Sequence, residues 1–212
     1  MRGDLLPLFP LEIVLLPHAP LPLHIFEERY REMINECLAL EAEFGVVQAR
    51  GNGILRIGCT AAIDHVIKRH DDGRMDILTV GQRRFEVIDI DNERSFLRGK
   101  VQYFDDESHE RASLELRRTA LSAYRDIEKL TGQEDEEIDI EEPELSFHLG
   151  RISDDLDFRQ TLLSVRSEAE RIQRLAEHLK ILAIRHRTRD KMQRVVRQNG
   201  HGRHLGDLSS LS

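Results

Sequence analysis

Residues 5–26 decide the fold, and they read LLPLFPLEIVLLPHAPLPLHIF. Short apolar pieces alternate here with prolines at positions 7, 10, 17, 20 and 22. Proline has no backbone N–H, so it cannot donate to the hydrogen-bond ladder of a sheet. The pattern therefore predicts three short extended pieces that serve as edge strands or strand ends: Leu5–Phe9, Ile13–Leu16 and Leu21–Phe26.

The next part of the chain changes from helical to strand periodicity. Apolar residues first recur at the spacing of an amphipathic helix: Phe26, Tyr30, Met33, Ile34, Cys37 and Leu38. From Glu43 to Phe104 the period becomes two, with turns at Gly51–Gly53 and Asp71–Gly73. These runs predict a meander of antiparallel strands, curled into a barrel, at residues 44–47, 54–67, 75–80, 84–90 and 97–103.

The sequence after Asp105 is helical in pattern. Helices are predicted at Leu116–Ile127, closing near Thr131–Gly132, at Leu145–Leu149, at Phe158–Leu163, and along a long last helix from Ile172. Between them, residues 134–144 are acidic and are expected to form a solvated linker. The predicted fold class is therefore α+β, with a β-rich lobe at 1–105, a helical lobe at 106–199 that ends in a long helix, and a flexible tail at 200–212.

The composition argues against several classes of protein. The formal net charge is -8, which disfavours a general affinity for nucleic-acid phosphates. The two cysteines, Cys37 and Cys59, have no paired spacing and no neighbouring histidine cluster. We therefore expect two small buried hydrophobes rather than a disulfide or a zinc site. The apolar N-terminal region is interrupted by charges and prolines, which favours a cytoplasmic protein over a secreted or membrane-spanning one.

Residue patterns typical of catalysis are missing from the sequence. The glycines in 51–58 have the wrong spacing for a dinucleotide fingerprint, and no phosphate-binding loop or nucleophile elbow occurs. His65 and His70 would lie on opposite faces of a regular strand. His24, within its apolar run, is predicted to be a core histidine bonded to the backbone. We therefore predict no catalytic residues, no cofactor-binding residues and no metal ligands, and hence a protein that is not an enzyme.

Several motifs resemble the N-terminal domain of Lon proteases. The opening strings Leu6–Leu11, Val14–Pro17 and Leu21–Tyr30 are similar to the N-terminal signature of that domain. Four later motifs follow in the order and spacing of the family: Phe44–Val47, Ile57–Ala61, Asp72–Arg74 and Gly81–Phe85. The resemblance covers the β-rich half in detail and the helical half in general character.

The resemblance implies a PUA-like, β-rich pseudobarrel lobe followed by an α-helical lobe. It also implies a non-catalytic module that recognises unfolded or specific client proteins. We expect a stand-alone form, without the ATPase and serine-lysine protease modules of full-length Lon proteases. Such a module would serve as an adaptor for proteolysis or quality control, with a separate protease as a further partner.

The proline-broken loop is the candidate surface for client contact. The candidate peptide-contact residues are Leu15, Leu16, Pro17, His18, Pro20 and Leu21. Apolar side chains in a segment that proline keeps out of ordinary sheet could enter a groove or contact an extended chain. The alternative is that the leucines of this loop simply close the barrel.

Other functions stay open at this point. The PUA fold occurs in RNA-modifying proteins, so RNA binding is the alternative function, but aromatic residues total only 5% and provide few stacking platforms. An adaptor resembling cereblon, which also contains a Lon-like domain, is a third hypothesis. The two cysteines cannot supply the zinc-bearing ligand domain of that protein. An apolar stripe on the last helix leaves room for a homo-oligomer.

Overall fold

The architecture is a ring of strands joined to a bundle of helices. A computed structural model describes residues 5–108, 110–132 and 137–200. The strands are β1 (Leu6–Leu11), β2 (Pro20–Ile25), β3 (Phe44–Arg50), β4 (Gly53–Arg69), β5 (Met75–Asp91) and β6 (Arg98–Tyr103). The helices are α1 (Glu28–Leu40), α2 (Leu114–Thr131), α3 (Leu145–Gly150), α4 (Leu156–Ser164) and α5 (Glu168–Gly200). The predicted α+β class, with a long last helix, is confirmed. The predicted tail lies outside the described residues from 201 onward.

The barrel closes because β1 pairs with both β3 and β6. Strands β3, β4, β5 and β6 are consecutive antiparallel neighbours, as the predicted meander requires. Strand β1 runs parallel to β3 and antiparallel to β6, where Leu6 stands opposite Gly99. The pairing of β5 with β6 completes a ring of five strands. Ring closure gives both sides of these strands a partner over part of their length.

Strand β5 is continuous where the sequence predicts two strands. Residues 75–80 pair with β2 and residues 85–91 pair with β6, while β4 pairs with both halves. Gly81, which directly follows the first predicted strand, lies inside β5. The prediction of separate strands at 75–80 and 84–90 is therefore wrong. The backbone stays extended through the point where β5 exchanges one partner for another.

The prolines lie where a strand has one side without a partner. Strand β2 pairs with β5 alone among the described strands, as expected for an edge strand. In β1, Leu6–Pro7 pair with β6 and Leu8–Leu11 pair with β3, while the N–H of Leu8 also donates to the carbonyl of Leu97 just before β6. Pro7 therefore has no partner in β3, and Pro10 has none in β6. The third predicted extended piece, Ile13–Leu16, is wrong as a strand, because its apolar side chains are covered within a connecting loop.

The helices follow the predicted periodicity, with shifts at their ends. Helix α2 ends at Thr131, and Gly132 takes up a left-handed conformation with a φ of 70° that glycine tolerates. Helix α1 begins at Glu28, so Phe26 precedes it and is exposed instead of lying on the buried face. Ile138 is buried, so the described part of the acidic stretch is more than a solvated linker. No helix in the described residues is both long and apolar enough to cross a membrane.

Among the described residues, apolar side chains form three cores. The barrel interior is filled by Leu6, Leu8, Val47, Phe85 and Val87. A larger core lies between the strands, the β1–β2 connection and α1, and it also contains side chains of α3 and α4. A third core lies among the helices. Because helices contribute to the second core, the helical part packs directly against the strands.

A buried ionic cluster also joins the strands to the helices, and we call it the Asp106 clamp: Arg84, Asp106, Ser146, Glu168 and Arg171. Asp106 follows β6 and accepts bonds of 2.6 and 2.7 Å from Arg171 of α5 and one of 2.6 Å from Arg84 of β5. Arg171 is wholly buried and also donates to Ser146 and Glu168. These charge-assisted bonds satisfy a cation that would otherwise be costly to bury.

Candidate functional site

The loop between β1 and β2, residues 12–19, is fastened to β5 by its backbone. The N–H of His18 donates to the carbonyl of Gly81 at 2.8 Å, and the N–H of Gly81 donates to the carbonyl of Ala19 at 3.0 Å. Within the loop, the N–H of Ala19 donates to the carbonyl of Leu16 at 3.2 Å, which closes a turn. His18 has a φ of 59°, an uncommon conformation for a residue other than glycine. The loop is therefore held in one defined shape.

This loop forms one wall of a groove, and the helical part forms the other. The loop wall consists of residues 13–16 and 19–21, and the helix wall consists of Tyr124, Arg151, Ile152 and Arg159. The groove has a volume of about 340 Å³, near the lower limit usual for ligand pockets. Most of its side chains are apolar. It could therefore hold apolar side chains of a bound peptide.

A direct contact spans from the loop to the helical part near this groove. The Nε2 atom of His18 lies 2.7 Å from Oε2 of Glu144, just before α3. Both side chains are substantially exposed. An exposed pair of this kind adds little to stability, but it favours one spacing between the loop and the helices.

Two arginines bring positive charge to the helix wall. Arg159 of α4 donates from Nη2 to the carbonyl of Arg151 at 2.6 Å, and Arg151 donates from Nε to the carbonyl of His148 at 3.2 Å. The Nε of Arg159 is buried and has no hydrogen-bond partner within the described part of the chain. Burial lowers the pKa of Arg159, yet a guanidinium keeps its proton at neutral pH.

The predicted contact residues divide into buried and accessible ones. Residues 15–17 are buried, and Leu16 is only 1% exposed. His18 and Pro20 are exposed, and Leu21 is half-buried. The leucines at 15 and 16 belong to the larger core. Client contact by this segment stays a prediction, and Pro20 and Leu21 are the groove positions where it could occur without unfolding the loop.

The helix wall of the groove was not predicted from the sequence. Tyr124, Arg151, Ile152 and Arg159 are separated from the loop by a hundred residues or more of chain. Only Tyr124 carries a signal, since it lies on the apolar face of α2. The two arginines have no local pattern that marks them, because their significance depends on the loop packed opposite them.

The structure corrects the prediction for His24. Its side chain is 46% exposed and its Nδ1 lies 2.6 Å from Oδ1 of Asp76, so it is not a core histidine bonded to the backbone. Nε2 of His70 lies 2.8 Å from the other oxygen of the same carboxylate. Hydrogen bonds from His24 and from His70 lower the pKa of Asp76. His65 pairs separately with Asp64. The sequence offered no signal that His24 and His70 meet.

Both cysteines are buried thiols, as predicted. Burial raises the pKa of Cys37 to about 11. Burial also raises the pKa of Cys59. The thiolate is the nucleophilic form of cysteine, so neither residue offers a reactive group at neutral pH.

The arrangement of strands and helices defines a Lon N-terminal domain fold. The chain is similar to a Lon N-terminal domain protein from Xanthomonas campestris, with a TM-score of 0.67 and 23% identity over 81% of this chain and 96% of the other. It is also similar to the N-terminal domain of the Mycobacterium avium complex Lon protease, with a TM-score of 0.52 and 15% identity over 83% and 98% of the two chains. At these identities the likeness concerns the fold alone.

The family follows from the sequence itself. The profile of the ATP-dependent protease La (LON) substrate-binding domain matches residues 5–181. This chain therefore belongs to that family. The match confirms the resemblance carried by the proline-rich opening and the later motifs.

Proposed function

We propose that this chain is a non-catalytic module that binds unfolded or specific client proteins and acts as an adaptor for proteolysis or quality control. The observation that carries the proposal is the groove, in which apolar side chains from two distant parts of the chain lie beside two arginines. Membership of a family of substrate-binding domains supports the same role. An apolar client side chain would enter the groove, and the positive charges of Arg151 and Arg159 in its lining would attract a client carboxylate.

The open side of β2 is poorly suited to bind a client by strand addition. Pro20 and Pro22 stand opposite Val80 and Leu78 of β5. Because proline cannot donate, the ladder to β5 must use the N–H groups of the alternate residues, such as Leu21, and the prolines then face the open side. An arriving strand would find two donors missing there. Side-chain insertion into the groove is therefore the favoured mode of binding.

Binding of an unfolded protein to groove variants tests the proposal. Leu21→Ser removes an apolar side chain from the loop wall, and Arg159→Met removes the guanidinium from the helix wall while keeping an apolar stem. We expect each change to raise the dissociation constant at least about tenfold, or about 1.4 kcal/mol. Fluorescence anisotropy of a labelled, permanently unfolded protein measures the constant, and thermal melts show that each variant is folded.

Matched controls lie on exposed surfaces outside the groove. Ile88→Ser and Arg56→Met change the same kinds of side chain at exposed positions, and binding should stay within about twofold of wild type. Leu16→Asp is unsuitable as a probe, because a charge at this buried position would lower the melting temperature. The proposal fails if the folded wild-type chain binds no unfolded protein, or if groove and control variants bind equally well.

A further inference from the structure

Strands β2 and β5 and the turn between β4 and β5 bring His24, His70 and Asp76 to one place on the sheet. His24 of β2 stands directly opposite Asp76 of β5 in the antiparallel register. His70 follows β4, in the turn that leads into β5. Its N–H donates to the carbonyl of Arg74 and its carbonyl accepts from Gly73, each at 2.9 Å. Sheet register and turn geometry therefore fix all three backbone positions without help from a ligand.

The three side chains converge on one small volume. The imidazoles of His24 and His70 lie 2.6 and 2.8 Å from the two separate oxygens of Asp76. The two rings are 5.8 Å apart and nearly perpendicular, at 82°. One nitrogen from each imidazole and one carboxylate oxygen all lie within 4.8 Å of one another. Each residue keeps some exposure to solvent, so water can reach the same volume.

Two imidazoles and a carboxylate form a donor set suited to divalent transition metals. Imidazole binds Zn²⁺, Co²⁺, Ni²⁺ and Cu²⁺ well, whereas Mg²⁺ and Ca²⁺ prefer oxygen ligands alone. Tetrahedral Zn²⁺ with bonds of about 2.0–2.1 Å needs donors separated by about 3.3 Å. The two nitrogen–oxygen contacts, at 2.6 and 2.8 Å, are shorter than that value, and all three donors lie within 4.8 Å of one another. Small rotations of three partly exposed side chains would therefore adjust the donors to the ion.

We infer that His24, His70 and Asp76 form a binding site for a divalent transition-metal ion of the Zn²⁺ type, with water completing the coordination. The ion would replace the hydrogen bonds that the carboxylate makes now, and it would connect β2 to the β4–β5 hairpin. Because β2 also carries Leu21 of the groove, the ion would hold that wall in place. The site is distinct from the groove, and its existence does not depend on client binding.

Titration of the untagged full chain with ZnCl₂ tests the inference. The sequence also contains His201 and His204, so all proteins carry His201→Gln and His204→Gln to remove background binding. We expect one Zn²⁺ per chain by isothermal titration calorimetry, with micromolar affinity, and a rise in melting temperature with metal concentration. Cobalt absorption spectra should report coordination by both nitrogen and oxygen.

Variants of the three ligands separate a specific site from casual surface binding. His24→Gln, His70→Gln and Asp76→Asn should each weaken Zn²⁺ binding at least about tenfold. His65→Gln is the matched control, because His65 lies on β4 five residues before His70, is exposed and likewise pairs with a carboxylate, that of Asp64, at 2.8 Å. The Zn²⁺ affinity of this control should equal that of the parent protein, which carries only His201→Gln and His204→Gln. The inference is wrong if the parent binds less than one Zn²⁺ per chain, or if the ligand variants and the control bind alike.

Discussion

Gly81 decides how closely the loop at residues 12–19 approaches β5. A Cβ at this position would lie 2.2 Å from the carbonyl oxygen of Leu16 and 3.2 Å from Cγ of Leu15. The nearer obstacle is backbone, which cannot rotate away as a flexible side chain can. The position therefore requires a residue without a side chain because two backbones meet there.

Replacing this glycine should damage the fold far more than replacing a glycine with space around it. We expect Gly81→Ala to lower the free energy of unfolding by about 2–3 kcal/mol, because the loop or β5 must move. Urea denaturation followed by circular dichroism measures the loss. Gly53→Ala is the matched control, since an added Cβ there meets no atom within 4 Å, and it should cost less than about 0.5 kcal/mol. Equal losses in the two variants would contradict the role given to Gly81.

At the scale of elements, His178 connects α5 to α4 and to the turn before it. Its ring stacks on Phe158 with centroids 3.6 Å apart and an angle of 4° between the planes. Its Nε2 lies 2.9 Å from Oγ of Ser153. Burial lowers the pKa of His178 and outweighs the opposing effect of Asp155. The folded protein therefore favours the neutral imidazole.

Mild acid should weaken this contact between elements. A histidine whose pKa is lower in the folded state stabilises the fold above its unfolded pKa, about 6.5, and loses that stabilisation as the pH falls through the folded pKa. His178→Phe keeps the stacked ring and cannot take up a proton. We expect the unfolding free energy of wild type to fall more steeply than that of the variant between about pH 7.5 and about pH 5. Parallel curves in chemical denaturation at each pH would count against this assignment.

Most elements can be predicted from the sequence, since one-sided burial leaves a period in the local pattern. Periodicity misleads where residues are apolar or buried for a reason other than one-sided packing of a helix or strand. Ile13–Leu16 is apolar because it lies in a loop whose side chains are covered by the rest of the protein. Strand β5 does not look continuous in the sequence, because it changes its pairing partner near Gly81. The parallel pairing of β1 with β3 has no local signature, because the spacing of apolar residues along a strand does not indicate which strand pairs with it.

The candidate sites are less predictable, because they depend on contacts between distant segments. Prolines and leucines mark the loop wall of the groove, while the arginines of the helix wall carry no pattern. The meeting of His24 and His70 at Asp76 depends on the register of β2 against β5 and on the turn after β4. A shift of one residue in that register would send His24 to the other face.

At the scale of the whole molecule, the Asp106 clamp holds the strands and the helices together. The guanidinium groups of Arg84 and Arg171 lie 5.2 and 4.3 Å from the centre of the Phe147 ring. Burial alone would raise the pKa of Asp106, but hydrogen bonds and charges from Arg171 and Arg84 together lower it below its ordinary value. Removal of this carboxylate would leave two buried cations without their common partner.

Asp106→Asn should therefore destabilise the protein strongly. Breaking a buried ion pair costs about 3 kcal/mol or more at neutral pH, whereas Asp157→Asn, which breaks an exposed pair with Arg50, should cost less than about 1 kcal/mol. Guanidinium denaturation measures both losses.

The pH dependence of that loss checks the part played by charge. The stabilisation from a carboxylate with a lowered pKa is complete above its unfolded pKa, about 3.9, and disappears as the pH falls through the folded pKa. The difference between wild type and Asp106→Asn should therefore shrink below about pH 4. A difference that stays constant in acid would show that the ionised carboxylate is not what stabilises the clamp.

The closure of the ring also limits the order in which the molecule can fold. Leu6 needs Gly99 as its partner across β1 and β6, so a chain emerging from the ribosome cannot close the barrel until nearly half of it has been made. Phe147 and Leu163 complete the larger core later still. Contacts between residues far apart in sequence form slowly, because the chain loses the entropy of closing a long loop before the contacts begin to stabilise it. During synthesis the apolar segments of β1 and β2 stay exposed until their pairing strands have been made. In this exposure of apolar segments, the nascent chain resembles the unfolded clients proposed for the mature protein.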